Sequence, residues 1–193
     1  RRDAALAPTV SAMPRRPHAL VAPLLVLALV SCTPTTVIPP ASPPSEEAPL
    51  FASDEEALAA ATEAYEEFLA VSSQILQDGG EDPERARTYL SDSVFAEELA
   101  GYEQFSESGF RLIGQSRITN SVLQQWSQYE TKAEIIAYFC VSLEGTDVVN
   151  GSGESIVTAD RPEQSVFEIV LTGSRSDLVI ESKQVWSDES ICG

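Results

Sequence analysis

Apolar side chains recur at Leu58, Ala61, Tyr65, Phe68, Leu69, Ile75 and Leu76, with acidic and small polar residues between them and Ser72 as a weak point. That spacing is helical. Ser53, with Glu56 three residues on, forms a capping box ahead of the run, and Gly79-Gly80 follows it. The pattern predicts one long amphipathic helix from Asp54 to about Gln77. Asp82-Pro83-Glu84 predicts a second, short helix to about Leu90, with Asp82 as N-cap and Ala86, Tyr89 and Leu90 turned inward. A third helix carries Phe95, Leu99, Tyr102 and Phe105 and ends near Ser108-Gly109. After Gly109 the periodicity changes. Phe110–Trp126, Thr131–Leu143, Ser165–Leu171 and Leu178–Trp186 are rich in Ile, Val, Phe and Tyr and read as four strands. Their short connections make them antiparallel. Within the last strand, Leu178, Ile180, Ser182, Gln184 and Trp186 share one face by alternation.

The pattern ahead of this region is different. Met13 is followed by Pro14-Arg15-Arg16-Pro17-His18 and then by a largely apolar run from Ala19 to Val30. A basic stretch before a short apolar run is a secretory signal peptide. The run is too short to cross about 30 Å of hydrocarbon as a helix. Met13 is therefore the expected start, and residues 1–12 an over-extended gene start. Leu29-Val30-Ser31-Cys32 resembles the lipobox of bacterial lipoproteins, in which the cysteine is acylated and becomes the new N-terminus. The resemblance implies a lipid anchor at Cys32 on the outer face of the cell membrane; two or more acyl chains hold stably. Residues 1–31 are then leader. Residues 32–50 are a Pro/Ser/Thr-rich linker of polyproline or disordered character. Residues 51–193 form one α+β domain.

Charge narrows the function. The 193-residue chain has 12 Lys+Arg against 30 Asp+Glu, a formal net charge of −18. Without residues 1–31 it has 8 basic and 29 acidic side chains, a net −21. Such a surface repels phosphate backbones, so no nucleic-acid partner is expected. His18, the one histidine, lies in the leader. Its loss excludes Ser-His-Asp, Cys-His and His-zinc chemistry from the mature chain. No phosphate-binding glycine loop or nucleophile elbow occurs. Asp147–Glu154 lacks an EF-hand register and reads as a turn, so neither a metal nor a cofactor is expected.

Three helices followed by a four-stranded antiparallel meander resemble the cone-shaped domains of the nuclear-transport-factor-2-like and SnoaL-like superfamily. They also resemble small acidic lipoproteins of high-GC Gram-positive bacteria placed there. The residues carrying the resemblance are Ala137–Leu143, Arg161 and Trp186 to Cys192, together with element order from Ser53 to Cys192. It implies a curved sheet with the long helix across its concave face. A cystatin-like arrangement is the alternative.

Enzymes of that superfamily place an Asp, Tyr or His between helices and sheet. Tyr65, Tyr102 and Tyr138, with Glu134, Glu168 or Glu181, are the groups available for such a site, and Trp126 and Trp186 could line the same pocket. Each also fits plain packing. Arg161 is expected to pair with a carboxylate and pin its loop, with binding of an acidic ligand as the alternative. With Cys32 claimed by lipid, Cys140 and Cys192 are left to pair in an oxidising compartment, or to stay as free thiols. The expected function is a membrane-anchored, non-catalytic binding or interaction domain, taking a small apolar ligand or an envelope protein. The alternatives are a small-molecule isomerase or dehydratase using Tyr and Asp/Glu, and a structural or accessory envelope protein.

Overall fold

The computed structural model describes residues 48–193. The leader, Cys32 and most of the linker lie outside the described residues. The domain is α+β. Helix α1 spans Asp54–Gln77 and helix α2 Asp92–Glu107. A 3₁₀ segment, Pro83–Tyr89, lies between them. Six strands follow: β1 Arg111–Ile113, β2 Arg117–Tyr129, β3 Lys132–Ser142, β4 Asp147–Val149, β5 Gln164–Ser174 and β6 Asp177–Trp186. A last 3₁₀ turn covers Glu189–Cys192.

Half of the expected capping box forms: Ser53 Oγ accepts the Glu56 N–H at 3.3 Å, while Glu56 Oε2 accepts from the N–H of Ala52, one residue before the cap, at 2.5 Å. At the other end the Gly79 and Gly80 N–H groups donate to the carbonyls of Leu76 and Ile75. That double bond closes the helix and needs the positive φ that glycine tolerates. A Cβ at Gly80 would lie 2.5 Å from the Tyr102 carbonyl, so the stop also sets how closely α2 approaches.

The main sheet is antiparallel in the order β2-β3-β5-β6. Its core-facing residues include Ile135, Ala137, Phe139 and Val141 of β3, Ile169 and Leu171 of β5, and Ile180 of β6. Against them α1 sets Tyr65, Phe68 and Ile75, and α2 sets Phe95 and Tyr102. The helices thus cover one face of the sheet, and the other is left for the segment after β6.

Four expectations need correction. The segment after Asp82 is 3₁₀ rather than α, and Asp82 sits at φ 51° with no side-chain cap bond. Seven residues with a left-handed start are too few to nucleate an α-helix without tertiary help. The run Phe110–Trp126 is not one strand. It breaks at Gly114, whose Cβ would lie 2.2 Å from the Gly145 carbonyl, and β1 turns away to pair with β4. The Asp147–Gly153 turn contributes that partner, so the strands number six. Finally, β6 does not keep strict alternation. An irregularity at Val170/Leu171 places Ile180 opposite Leu171 and Trp186 opposite Val166. Such a bulge shifts the pleat by one residue, which puts Ile180 on the core face and Trp186 on the other.

Candidate functional site

The structure divides the five aromatic candidates between the two faces of the sheet. Tyr65, Tyr102 and Trp126 lie on the helix-covered face. Tyr138 and Trp186 lie on the opposite one, their rings 5.0 Å apart and tilted. They do not line one pocket.

On the helix side, Tyr65 is 1% exposed and packs against Phe139 at 4.9 Å and Phe68 at 6.2 Å. Tyr102 donates to Ser72 Oγ at 2.9 Å, which explains why a serine interrupts the apolar stripe of α1. Trp126 is at the rim, edge-on to Phe51, with its indole N–H donating to Asp54 Oδ1 at 2.8 Å. Burial first, and the Glu98 carboxylate second, hold the Tyr65 phenol well above its usual pKa. Tyr102 is pushed up to about 12, chiefly by burial. Both phenols stay neutral, and that of Tyr102 keeps its bond to Ser72.

Glu98 is the carboxylate beside these tyrosines. It forms an ion pair with Lys183 of β6, whose ammonium lies 5.5 Å from the Phe68 ring centroid. None of the carboxylates anticipated from the sequence takes that place. Glu134 is exposed on β3, Glu181 is exposed at the β6 irregularity, and Glu168 faces away from the helices beside Tyr138. The sequence did hold a signal for Glu98: it stands three residues after Phe95 and four before Tyr102, on the buried stripe of α2.

The side chains of Lys183 and Glu98 are 25% and 18% exposed, so their charges depend on each other. Lys183→Met is expected to cost about 1–3 kcal/mol at neutral pH, by stranding Glu98 among apolar rings. The double variant Lys183→Met with Glu98→Gln should recover much of the loss in urea melts. A single variant as stable as the parent would remove the pair from the stabilising interactions.

On the opposite face two cross-strand rows stand side by side. One is Asn120, Cys140, Val166 and Trp186; the other is Val122, Tyr138, Glu168 and Gln184. Cys140 and Cys192 form a disulfide with Cα atoms 5.2 Å apart. It carries the segment after β6 back over the sheet, where Asn120 Nδ2 donates to the Ile191 carbonyl at 2.7 Å. Cys140 and Val166 are thereby buried, at 0% and 2% exposure. Desolvation first, and the Glu168 carboxylate second, hold the Tyr138 phenol above its usual value.

Between this segment and the ends of β5 and β6 lies an open cleft of about 830 Å³. Pro162, Val166, Val185 and Trp186 supply its apolar wall, and Glu163 and Glu189 its charge. It is in the size range of small-molecule sites. No group of His, Cys, Asp or Glu fit to hold a metal ion occurs among the described residues.

The chain matches no family model and no curated protein. Among solved structures it is similar to the intermembrane-space region of the chloroplast protein ARC6. The TM-score is 0.49 at 10% identity, over 68% of this chain and 97% of that one.

Arg161 pins its loop without a carboxylate, contrary to expectation. Its guanidinium donates to the Thr146 carbonyl at 2.9 Å, Thr146 Oγ1 at 3.1 Å and the Leu143 carbonyl at 3.3 Å. Backbone carbonyls at a turn present a ready-made acceptor set to a planar five-donor group. No helix among the described residues is long and apolar enough to cross a membrane.

Proposed function

We propose that this chain is an extracytoplasmic, non-catalytic binding domain, tethered to the outer face of the cell membrane by lipid on Cys32. It presents the sheet face opposite its helices to a ligand. The cleft beside Trp186 carries this reading: it is open, part aromatic, part acidic, and walled by a disulfide-held segment. A disulfide persists in oxidising compartments, which supports export. The lipobox and the Pro-rich spacer before the domain support the anchor. The tyrosines on the helix side support packing rather than turnover, since Tyr65 is 1% exposed and ringed by phenylalanines. The long helix laid over an antiparallel sheet agrees with the element order on which the cone resemblance partly rests.

Full-length protein from the membrane fraction should begin at an acylated Cys32, and Cys32→Ala should release it or leave it unprocessed. An unmodified N-terminus downstream of Cys32 in that fraction would rule out the anchor. Native mass spectrometry of the detergent-solubilised chain should show a co-purifying ligand. Trp186→Ala should abolish it while the domain stays folded, at a stability cost of about 1–3 kcal/mol, because Trp186 is 39% exposed and lies against Tyr138. A ligand retained at wild-type level by Trp186→Ala would move the site elsewhere.

A further inference from the structure

Ion pairing inside the domain leaves the cleft with uncompensated charge. Residues 48–193 hold eight basic side chains against 27 acidic ones. Five of the eight are committed to carboxylates away from the cleft: Arg85 to Asp78 and Asp82, Arg87 to Glu84 and Asp92, Arg117 to Glu144, Arg175 to Glu56, and Lys183 to Glu98. Arg111 donates to the Gln77 carbonyl and Arg161 to the loop carbonyls above. Among the described residues, no Lys or Arg forms an ion pair with Glu163 or Glu189, and none lines the cleft.

The cleft that holds these carboxylates also has an aromatic wall. Trp186 lies against Tyr138 and has 39% of its surface open. Indole is the best of the aromatic faces for a cation, and guanidinium both stacks on it and bridges carboxylates. The apolar surface extends beyond what one small cation covers. Pro162 is exposed in the cleft wall, and Val122 is 39% exposed on the same sheet face as Trp186. A mixed apolar and acidic surface wider than a single ligand group marks a protein contact.

The geometry points to a docking site for a basic segment of a partner protein, with an arginine seated on the Trp186 indole and paired with the cleft carboxylates Glu163 and Glu189, and apolar neighbours against Pro162. This rests on the reading of the cleft as the binding site and names the chemistry it takes. The acidic surface would also steer a basic partner toward the domain at low salt.

The test titrates the full-length chain in neutral detergent with three capped hexapeptides. One alternates Arg and Leu, one has Gln for every Arg, and one has Glu for every Arg; binding is read by tryptophan emission and calorimetry. The Arg peptide is expected to bind about tenfold or more tighter than the Gln peptide, and the Glu peptide not at all. E163Q with E189Q should weaken the Arg peptide about tenfold, as should Trp186→Ala. E66Q with E103Q, on the two long helices, controls for general attraction and should leave binding unchanged. Equal weakening by that control pair overturns the assignment to the cleft. Binding of the Gln peptide as tight as the Arg peptide overturns the cation and leaves the cleft as a site. With no peptide binding, the inference falls. A native ligand still lost on Trp186→Ala then keeps the cleft reading, and one not lost removes that too.

Discussion

Cys192→Ser is expected to destabilise the domain by about 4 kcal/mol, the chain-entropy value for a loop with a sequence separation of 52 residues. For a domain of this size that is a fall in Tm of roughly 8–16 °C. The disulfide closes β3 onto the segment after β6. Besides it, the Asn120 side chain donates to Ile191 there. Without the bond, Val166 and Cys140 lose their cover as well. The measurement is urea unfolding of Cys192→Ser beside wild type with and without reductant. Reduced wild type should match the variant. A difference below about 1 kcal/mol would mean that packing holds the segment and the covalent link is incidental. The cleft wall makes the same variant informative for binding, since its losses should follow the freed segment rather than the core.

Phe139→Ala should cost about 3–5 kcal/mol. Phe139 is fully buried in the middle of β3, between Ser121 of β2 and Phe167 of β5. Its ring meets Tyr65 of α1 at 4.9 Å, so truncation leaves a void at the helix–sheet contact rather than at a surface. Val122→Ala, on the opposite sheet face and 39% exposed, should cost less than about 1 kcal/mol. The contrast is read from paired urea melts. Equal costs, or a Phe139→Ala cost under about 1.5 kcal/mol, would contradict the assignment of the helix-covered face as the core.

Local signals were legible where one element carried its whole cause. Helix α1 begins and ends where Ser53, Glu56 and Gly79-Gly80 say, because capping bonds form within a few residues. The β2–β3 hairpin joins two of the expected strands, but β2 runs on past Trp126 to Tyr129 and the turn takes in Thr131, with Glu130 at φ 54°. The Cys140–Cys192 disulfide is one of two readings, beside free thiols, once the lipobox resemblance is taken to claim Cys32; the structure shows the pair joined. The capping promise of Asp82 failed because the Gly79-Gly80 stop and the short run after it left no room for an α-turn to propagate. The carboxylate beside the tyrosines was missed because strand glutamates were weighed and the buried face of α2 was not. Glu98 needs Lys183, 85 positions away in sequence, to be tolerable there.

The sequence by itself determined that the domain is α+β, that its sheet is antiparallel, and that Ala61, Tyr65, Phe68 and Ile75 of α1 face inward, though not that Ala57 and Ser73 join them; periodicity and capping are local properties. Only the tertiary structure decided the faces of the sheet. One irregularity in β6 sends Ile180 to the core and Trp186 to the other side, and one close approach of Gly114 to Gly145 detaches β1 from β2. Side-chain direction in a strand inverts with every residue, so a single bulge reassigns everything beyond it. Composition has no faces, so the aromatic candidates form one set in the sequence; the β6 bulge puts Trp186 on the face of Tyr138, away from Tyr65 and Tyr102 in the core.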